Sequence, residues 1–300
     1  MITLPVYSPV EPVLYPVFAE KQLRVFIKRD DLIHPYISGN KWRKLKYTLR
    51  RAEQEQKRHL VTFGGAWSNH LVATACAAAK FGFKSTGFVR GEEIQNLALT
   101  LCRIFGMQLI FTSRESYRDK QALFNQHFGN DSQGFFIDEG GAGPDAVKGC
   151  AELADELATD FDHVFCACGT GTTAAGLWNG LHLRGRSHTL HLVPVLKEGE
   201  RLPGTIQHQL TGKFDGHIHP GYHFGGYAKC PPSLAAFIMD FGAATGILLD
   251  PVYTGKLVYA VADMAVKNQF KPHQKLLIIH SGGLTGIAGK LNDFSFNLIS

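Results

Sequence analysis

Five short stretches of this chain set chemically capable side chains beside glycines. In "ISGNKWRKL" a Gly-Asn turn is followed at once by Lys41, Arg43 and Lys44. The apolar residues Trp42, Leu45, Leu49 and Ala52 recur three or four apart, so the three cations fall in the first turn of a helix. That is the wrong sign for a helix start, where unpaired N–H groups already carry partial positive charge. Either the cations are solvated, or an anionic or covalently bound group neutralises one of them.

The other four stretches are strand ends. "TFGGAWSNH" closes a strand on Gly64 and Gly65 and puts Ser68 and Asn69 at a helix entrance, where both residue types are good caps. "HVFCACGTGTTAAGL" joins a buried-looking strand to an Ala-rich helix through Gly169, Thr170, Gly171, Thr172 and Thr173. Turn amides and a helix N-terminus together cradle an anion. Gly169, Gly171 and Ala174 also satisfy the dinucleotide pattern G-x-G-x-x-G/A, but the next strand, TLHLVPVL, lacks the acidic residue that would hold a ribose. The two threonines add hydroxyl donors, which suits a lone monophosphate better than a pyrophosphate. "ILLDPVYTGK" offers Tyr253 and Thr254 ahead of a further helix, and "KLLIIHSGG" ends another strand in paired glycines. The bland readings are a core tyrosine and a tight turn.

Such loops need a scaffold, and the hydropathy pattern supplies one. Apolar runs at 59–63, 85–89, 108–111, 135–137, 163–168, 190–195 and 276–280 read as strands. Helical spacings lie between them, for example Ile94, Leu97, Leu101 and Ile104. Strict alternation predicts an α/β fold built of βαβ units, with a mostly parallel sheet and helices on both its faces. The pattern weakens between Lys197 and Pro232, which predicts a long excursion.

The 300 residues, 45% hydrophobic and 19% charged, can bury a full core. A net charge of +5, spread along the chain without a nucleic-acid motif, favours small anionic ligands over nucleic acid. The longest apolar helical run, Leu71 to Ala79, is too short to cross a bilayer, so no membrane partner is expected. The N-terminus lacks the pattern of a secretory signal, and the six cysteines sit in apolar stretches, which fits free thiols in a reducing cytoplasm. The histidines at 217, 219 and 223 suggest a metal hydrolase as a rival reading, although no carboxylate accompanies them at ligand spacing.

Taken in order, "SGNKWRKL", "GGAWSNH", "GTGTTAAG", "DPVYTGK" and "HSGG" resemble the pyridoxal-phosphate enzymes of fold type II, the tryptophan synthase β-like group. More narrowly the chain is similar to the 1-aminocyclopropane-1-carboxylate deaminase and D-cysteine desulfhydrase family. The resemblance implies two twisted, mostly parallel sheets, with residues 50–150 forming a smaller domain and 1–49 with 151–300 a larger cofactor domain. It implies that pyridoxal 5'-phosphate is carried by Lys41, that Gly169 to Thr173 hold its phosphate, that Asn69 meets the ring's 3-oxygen and that Thr254 meets the pyridine nitrogen. Ser68, Tyr253 and Tyr227 would face a small amino-acid substrate. A homodimer is expected on the same ground. In the family's ring-opening deaminases a glutamate follows the tyrosine, and here Thr254 stands there, so the first expectation is β-elimination from D-cysteine, giving sulfide, ammonia and pyruvate. Deamination of 1-aminocyclopropane-1-carboxylate is the alternative, and a non-catalytic ligand-binding protein on the same scaffold a remoter one. Trp67 replaces the family's usual glutamine and is expected to narrow the substrate pocket.

Overall fold

The computed structural model describes residues 2–294 apart from 159, 186, 187 and 198. Strands and helices follow one another as β1 (Val10–Pro12), α1 (Pro16–Glu20), β2 (Arg24–Lys28), α2 (Asn40–Gln54), β3 (His59–Gly65), α3 (Asn69–Phe81), β4 (Lys84–Arg90), α4 (Leu97–Ile104) and β5 (Gln108–Thr112). They continue with α5 (Lys120–Phe128), β6 (Gly134–Ile137), α6 (Pro144–Ala151), β7 (His163–Cys168), α7 (Thr172–Leu183), β8 (Thr189–Pro194), α8 (Leu202–Ile206) and β9 (His217–Ile218). The last elements are α9 (Pro232–Thr245), α10 (Thr254–Val266) and β10 (Lys275–Ile279).

Two sheets result. One runs β5-β4-β3-β6 and is parallel throughout; the other runs β1-β2-β10-β7-β8-β9 and is parallel except where β1 pairs with β2. Parallel strands covered on both faces must be apolar on both faces. Accordingly Leu276, Leu277, Ile278 and Ile279 are all fully buried. Each of the seven strands expected from the sequence is present, and the excursion after Lys197 holds only short elements. β1, β2 and β9 were not expected. β2 begins and ends on cations, so its apolar run is three residues, yet Lys28 is buried because Glu156 meets its ammonium at 2.7 Å.

One expected helical face is wrong. Ile94 lies ahead of α4, and Ile94, Leu97 and Ile104 are exposed, while Ala98, Leu99 and Cys102 are buried. Asn96 caps the helix by accepting from the Leu99 amide, and Ala98, Leu99 and Cys102 pack with Leu71, Val72 and Ala75 of α3. Large apolar side chains drew the eye to the wrong side.

Three helices then fix the site. A Cβ at Gly176 would lie 2.6 Å from the Val147 carbonyl oxygen and one at Gly180 2.3 Å from that of Ala151, so only glycine lets α7 rest on α6. On its other side α6 packs against α2. The starts of α2 and α7 thereby meet, and the Asn40 amide donates to Thr173 Oγ1 at 3.0 Å.

Candidate active site

The Gly-Asn turn lies flat on the end of β10. Gly39 has φ +59, and a Cβ there would fall 1.9 Å from the Ser281 carbonyl oxygen, which itself accepts from the Asn40 N–H at 3.1 Å. Lys41 therefore leaves the turn toward a cleft lined by the starts of α2 and α7, the 281–285 segment, Asn69 and Tyr253. Its ammonium has Asn40 Oδ1 at 3.2 Å. Burial, and then the Lys44 cation, push its pKa down to about 7, while the more distant Asp250 pulls the other way.

The three cations of the first turn thus have separate fates, and none is simply solvated. Arg43 is buried in a bidentate pair with Asp30, at 2.6 and 2.7 Å, and in a second pair with Glu156. Lys44 is buried, lines the cleft and donates to the Gly140 carbonyl at 3.1 Å. Among the described residues no carboxylate lies within ion-pair distance of it, and burial lowers its pKa. The sequence had marked Lys44 only as part of a cluster; the structure places its amine in the cleft wall.

Across the cleft β7 ends at Cys168, and Gly171, with φ +88, starts α7. The first amides of a helix have no intrahelical acceptor. Here they face the same cleft as Lys44, flanked by the buried hydroxyls of Thr172 and Thr173, with Gly169 and Thr170 completing the wall. Donors and a cation on this side and a readily deprotonated amine on the other suit a group carrying a phosphate at one end and a carbonyl at the other. Among the described residues no Asp or Glu lines the cleft, so a dinucleotide's ribose would find no carboxylate there.

The remaining expected residues divide. Asn69 lines the cleft, but its side chain also clasps the 283–285 segment, donating to the Gly283 carbonyl and accepting from Thr285 Oγ1. Tyr253 lines the cleft beside Gly169, and burial first, then Tyr227 and Asp250, hold its phenol well above the usual range, which keeps it a proton donor. Ser68 does not line the cleft; its hydroxyl accepts from the Leu71 amide and caps α3. Tyr227 is half exposed and packs edge-on against Tyr253, with ring centroids 6.1 Å apart. Thr254 is fully buried, donating its hydroxyl to Asp250 Oδ1 at 2.8 Å and accepting from the Asp250 N–H. Asp250, absent from the sequence-based set, gathers the amides of Val252, Tyr253 and Thr254 as well, and its only sequence sign was the Asp-Pro turn. Trp67 does not narrow the cleft but lies over Gly289, where a Cβ would come within 2.8 Å of its ring.

The histidine rival fails on geometry. His219 belongs to a chain in which His163 bonds His191 and His191 bonds His219, both at 2.9 Å, while the His223 ring accepts from the Gly225 amide elsewhere. Burial lowers the pKa of His191 to about 3, which keeps that ring neutral, and burial also lowers that of His219. Among the described residues no group of three or more His, Cys, Asp or Glu is placed to hold a metal.

Fold and cleft together have the character of an α/β enzyme with room for a small phosphorylated ligand between its two sheets. The pattern of the pyridoxal-phosphate dependent enzyme family matches residues 9–282, and the chain belongs to that family. Its cofactor is pyridoxal 5'-phosphate. A Pyrococcus horikoshii protein provisionally named a 1-aminocyclopropane-1-carboxylate deaminase is 32% identical over 284 residues, covering 87% of this chain and 85% of the relative. The mitochondrial bifunctional D-cysteine desulfhydrase/1-aminocyclopropane-1-carboxylate deaminase of Arabidopsis thaliana is 28% identical, covering 90% and 75%. The solved structure of an ACC deaminase homologue superimposes with a TM-score of 0.86 at 28% identity, covering 97% of this chain and 94% of that one. Within the family, the chain falls in the deaminase and desulfhydrase group.

Proposed function

We propose that the chain is a lyase that eliminates a β-thiol from a small amino acid of the D-cysteine type, releasing sulfide, ammonia and pyruvate. The observation that carries this reading is the cleft wall without a carboxylate. Bound pyridoxal phosphate acts as the electron sink for the bond at Cα, and the depth of that sink depends on how firmly its ring nitrogen is held protonated. A carboxylate in direct contact would hold it most firmly. Here the nearest candidate, Asp250, is spent on three amides and the Thr254 hydroxyl. A thiolate leaving from Cβ stabilises its own charge and needs less of the sink than opening an unactivated cyclopropane.

Lys41 is the covalent attachment point, and its lowered pKa makes the neutral amine available near pH 7 to take the Cα proton. Gly169 to Thr173 and Lys44 hold the phosphate, the latter supplying the charge that the amides lack. Asn69 orients the ring edge, and Tyr253 presents a phenol that stays protonated and can donate.

The test compares D-cysteine, L-cysteine, β-chloroalanine and 1-aminocyclopropane-1-carboxylate on the pure holoenzyme, measuring pyruvate or 2-oxobutyrate. Pyruvate from a β-substituted substrate should form fastest; faster 2-oxobutyrate release from the cyclopropane would overturn the reading in favour of the deaminase. Lys41→Ala should lose the borohydride-trapped adduct together with turnover.

A further inference from the structure

A second concavity opens at the carboxyl ends of the shorter sheet, where parallel sheets collect ligands. Arg90 ends β4, Arg114 and Arg118 lie in the loop after β5, Lys120 begins α5, and Glu139 follows β6. Four cations thus converge on one pocket. Lys120 has Asp138 at 3.5 Å and Glu139 at 4.0 Å, and Arg90 reaches Glu139 only at 4.0 Å. Among the described residues Arg114 and Arg118 have no carboxylate within 4.0 Å. Asp138 and Glu139 compensate only part of this cationic excess, and an anion entering the concavity lowers the remaining mutual repulsion.

A second feature points the same way. Tyr117 is 3% exposed, lies in the wall of this pocket, and its hydroxyl lacks a well-formed hydrogen-bond partner. Arg90 and Lys120 stand over its ring at 5.3 and 5.9 Å. Glu139 acts on this hydroxyl without forming a well-aligned hydrogen bond, so the phenol can still gain from a better-placed acceptor, and the acceptor that suits four surrounding cations is an anionic oxygen.

We propose that this pocket binds the anionic group of a small molecule, a carboxylate, sulfonate or phosphate, through Arg114, Arg118 and Tyr117. The site itself stands apart from the β-elimination reading, and only its assignment to the substrate rests on that reading. The pocket neighbours the catalytic cleft, since Glu139 adjoins cleft residue Gly140 and both Arg90 and Glu139 act electrostatically on Tyr227. The anion therefore has two sources: the distal end of an amino acid reacting at Lys41, or a free anion acting as an effector.

The holoenzyme, whose own phosphate site is filled, and the Arg114→Gln/Arg118→Gln double variant are titrated with inorganic phosphate by calorimetry. Both are also assayed with S-carboxyethylcysteine and S-propylcysteine, and thermal melting verifies that the variant is folded. Loss of phosphate affinity by tenfold or more, or a selective tenfold loss of kcat/KM for the carboxylated substrate, supports the site. The second result assigns the anion to the substrate. Phosphate that binds and changes the rate without competing assigns it to an effector. Unaltered phosphate heats, or no heat in either protein, together with an unaltered preference between the two substrates overturn the proposal.

Discussion

Lys41 illustrates how a single residue carries opposing demands. Unfolded, its amine titrates near 10.5, and in the cleft near 7. The folded chain therefore binds fewer protons than the unfolded one between those pH values, and stability without cofactor rises with pH across that window. Below about pH 7 the lysine is charged in both states, and the full penalty, on the order of a few kcal/mol, is present. Lys41→Met should accordingly stabilise the cofactor-free protein against urea at pH 7, and the advantage should shrink as pH approaches 10. An advantage that is absent, or that grows with pH, would contradict the depressed pKa. The residues at this scale were unevenly legible. Lys41 and the Gly-Thr-Gly-Thr-Thr turn were visible because type and neighbours agree, whereas Asp250 and Lys44 acquire meaning only from partners 4 and 96 positions away along the chain.

Among elements, α2 matters most, and its position rests on charge as well as apolar packing. Trp42, Leu45, Leu49 and Ala52 are buried as their spacing required. The same first turn carries Arg43 into a buried cluster with Asp30, Glu156 and, through Glu156, Lys28. Such pairs add little over an apolar substitute, but removing one partner strands the other in low dielectric. Asp30→Ala should therefore cost about 3 kcal/mol or more, read as a lower urea midpoint, and loosen the start of α2 enough to weaken cofactor retention. A change under about 1 kcal/mol would mean that Glu156 alone satisfies Arg43. This cluster was invisible beforehand, since its members are 13 and 113 residues apart. Regular periodicity located α2 correctly and misled at α4, where Ala98, Leu99 and Cys102 form the buried stripe.

At the scale of the whole molecule, alternation of strand and helix was enough to foresee parallel pairing, the division into two sheets came from the family resemblance, and the pairing order and the edge strands β1 and β9 required the structure. The cleft draws on both sheets: Asn69 and Gly140 follow strands of the shorter one, while residues 167–174 and 281–285 follow strands of the longer. A ligand that contacts all of these binds the native chain and not the unfolded one, so it must raise thermal stability by mass action. At a hundredfold excess over Kd the gain is about 2.7 kcal/mol, roughly 4 °C in Tm for a chain of this size. Thr172→Val separates that linkage from ordinary packing. The side chain is nearly isosteric and 1% exposed, and its hydroxyl has only the Thr170 hydroxyl nearby, at 3.5 Å, so melting without cofactor should barely move. A hydroxyl donating to a phosphate dianion contributes about 1.5–3 kcal/mol, which weakens cofactor binding roughly tenfold to a hundredfold and removes at least half of the gap at fixed cofactor. An undiminished gap in the variant would show that the α7 start does not hold the phosphate, whatever the amides beside it suggest.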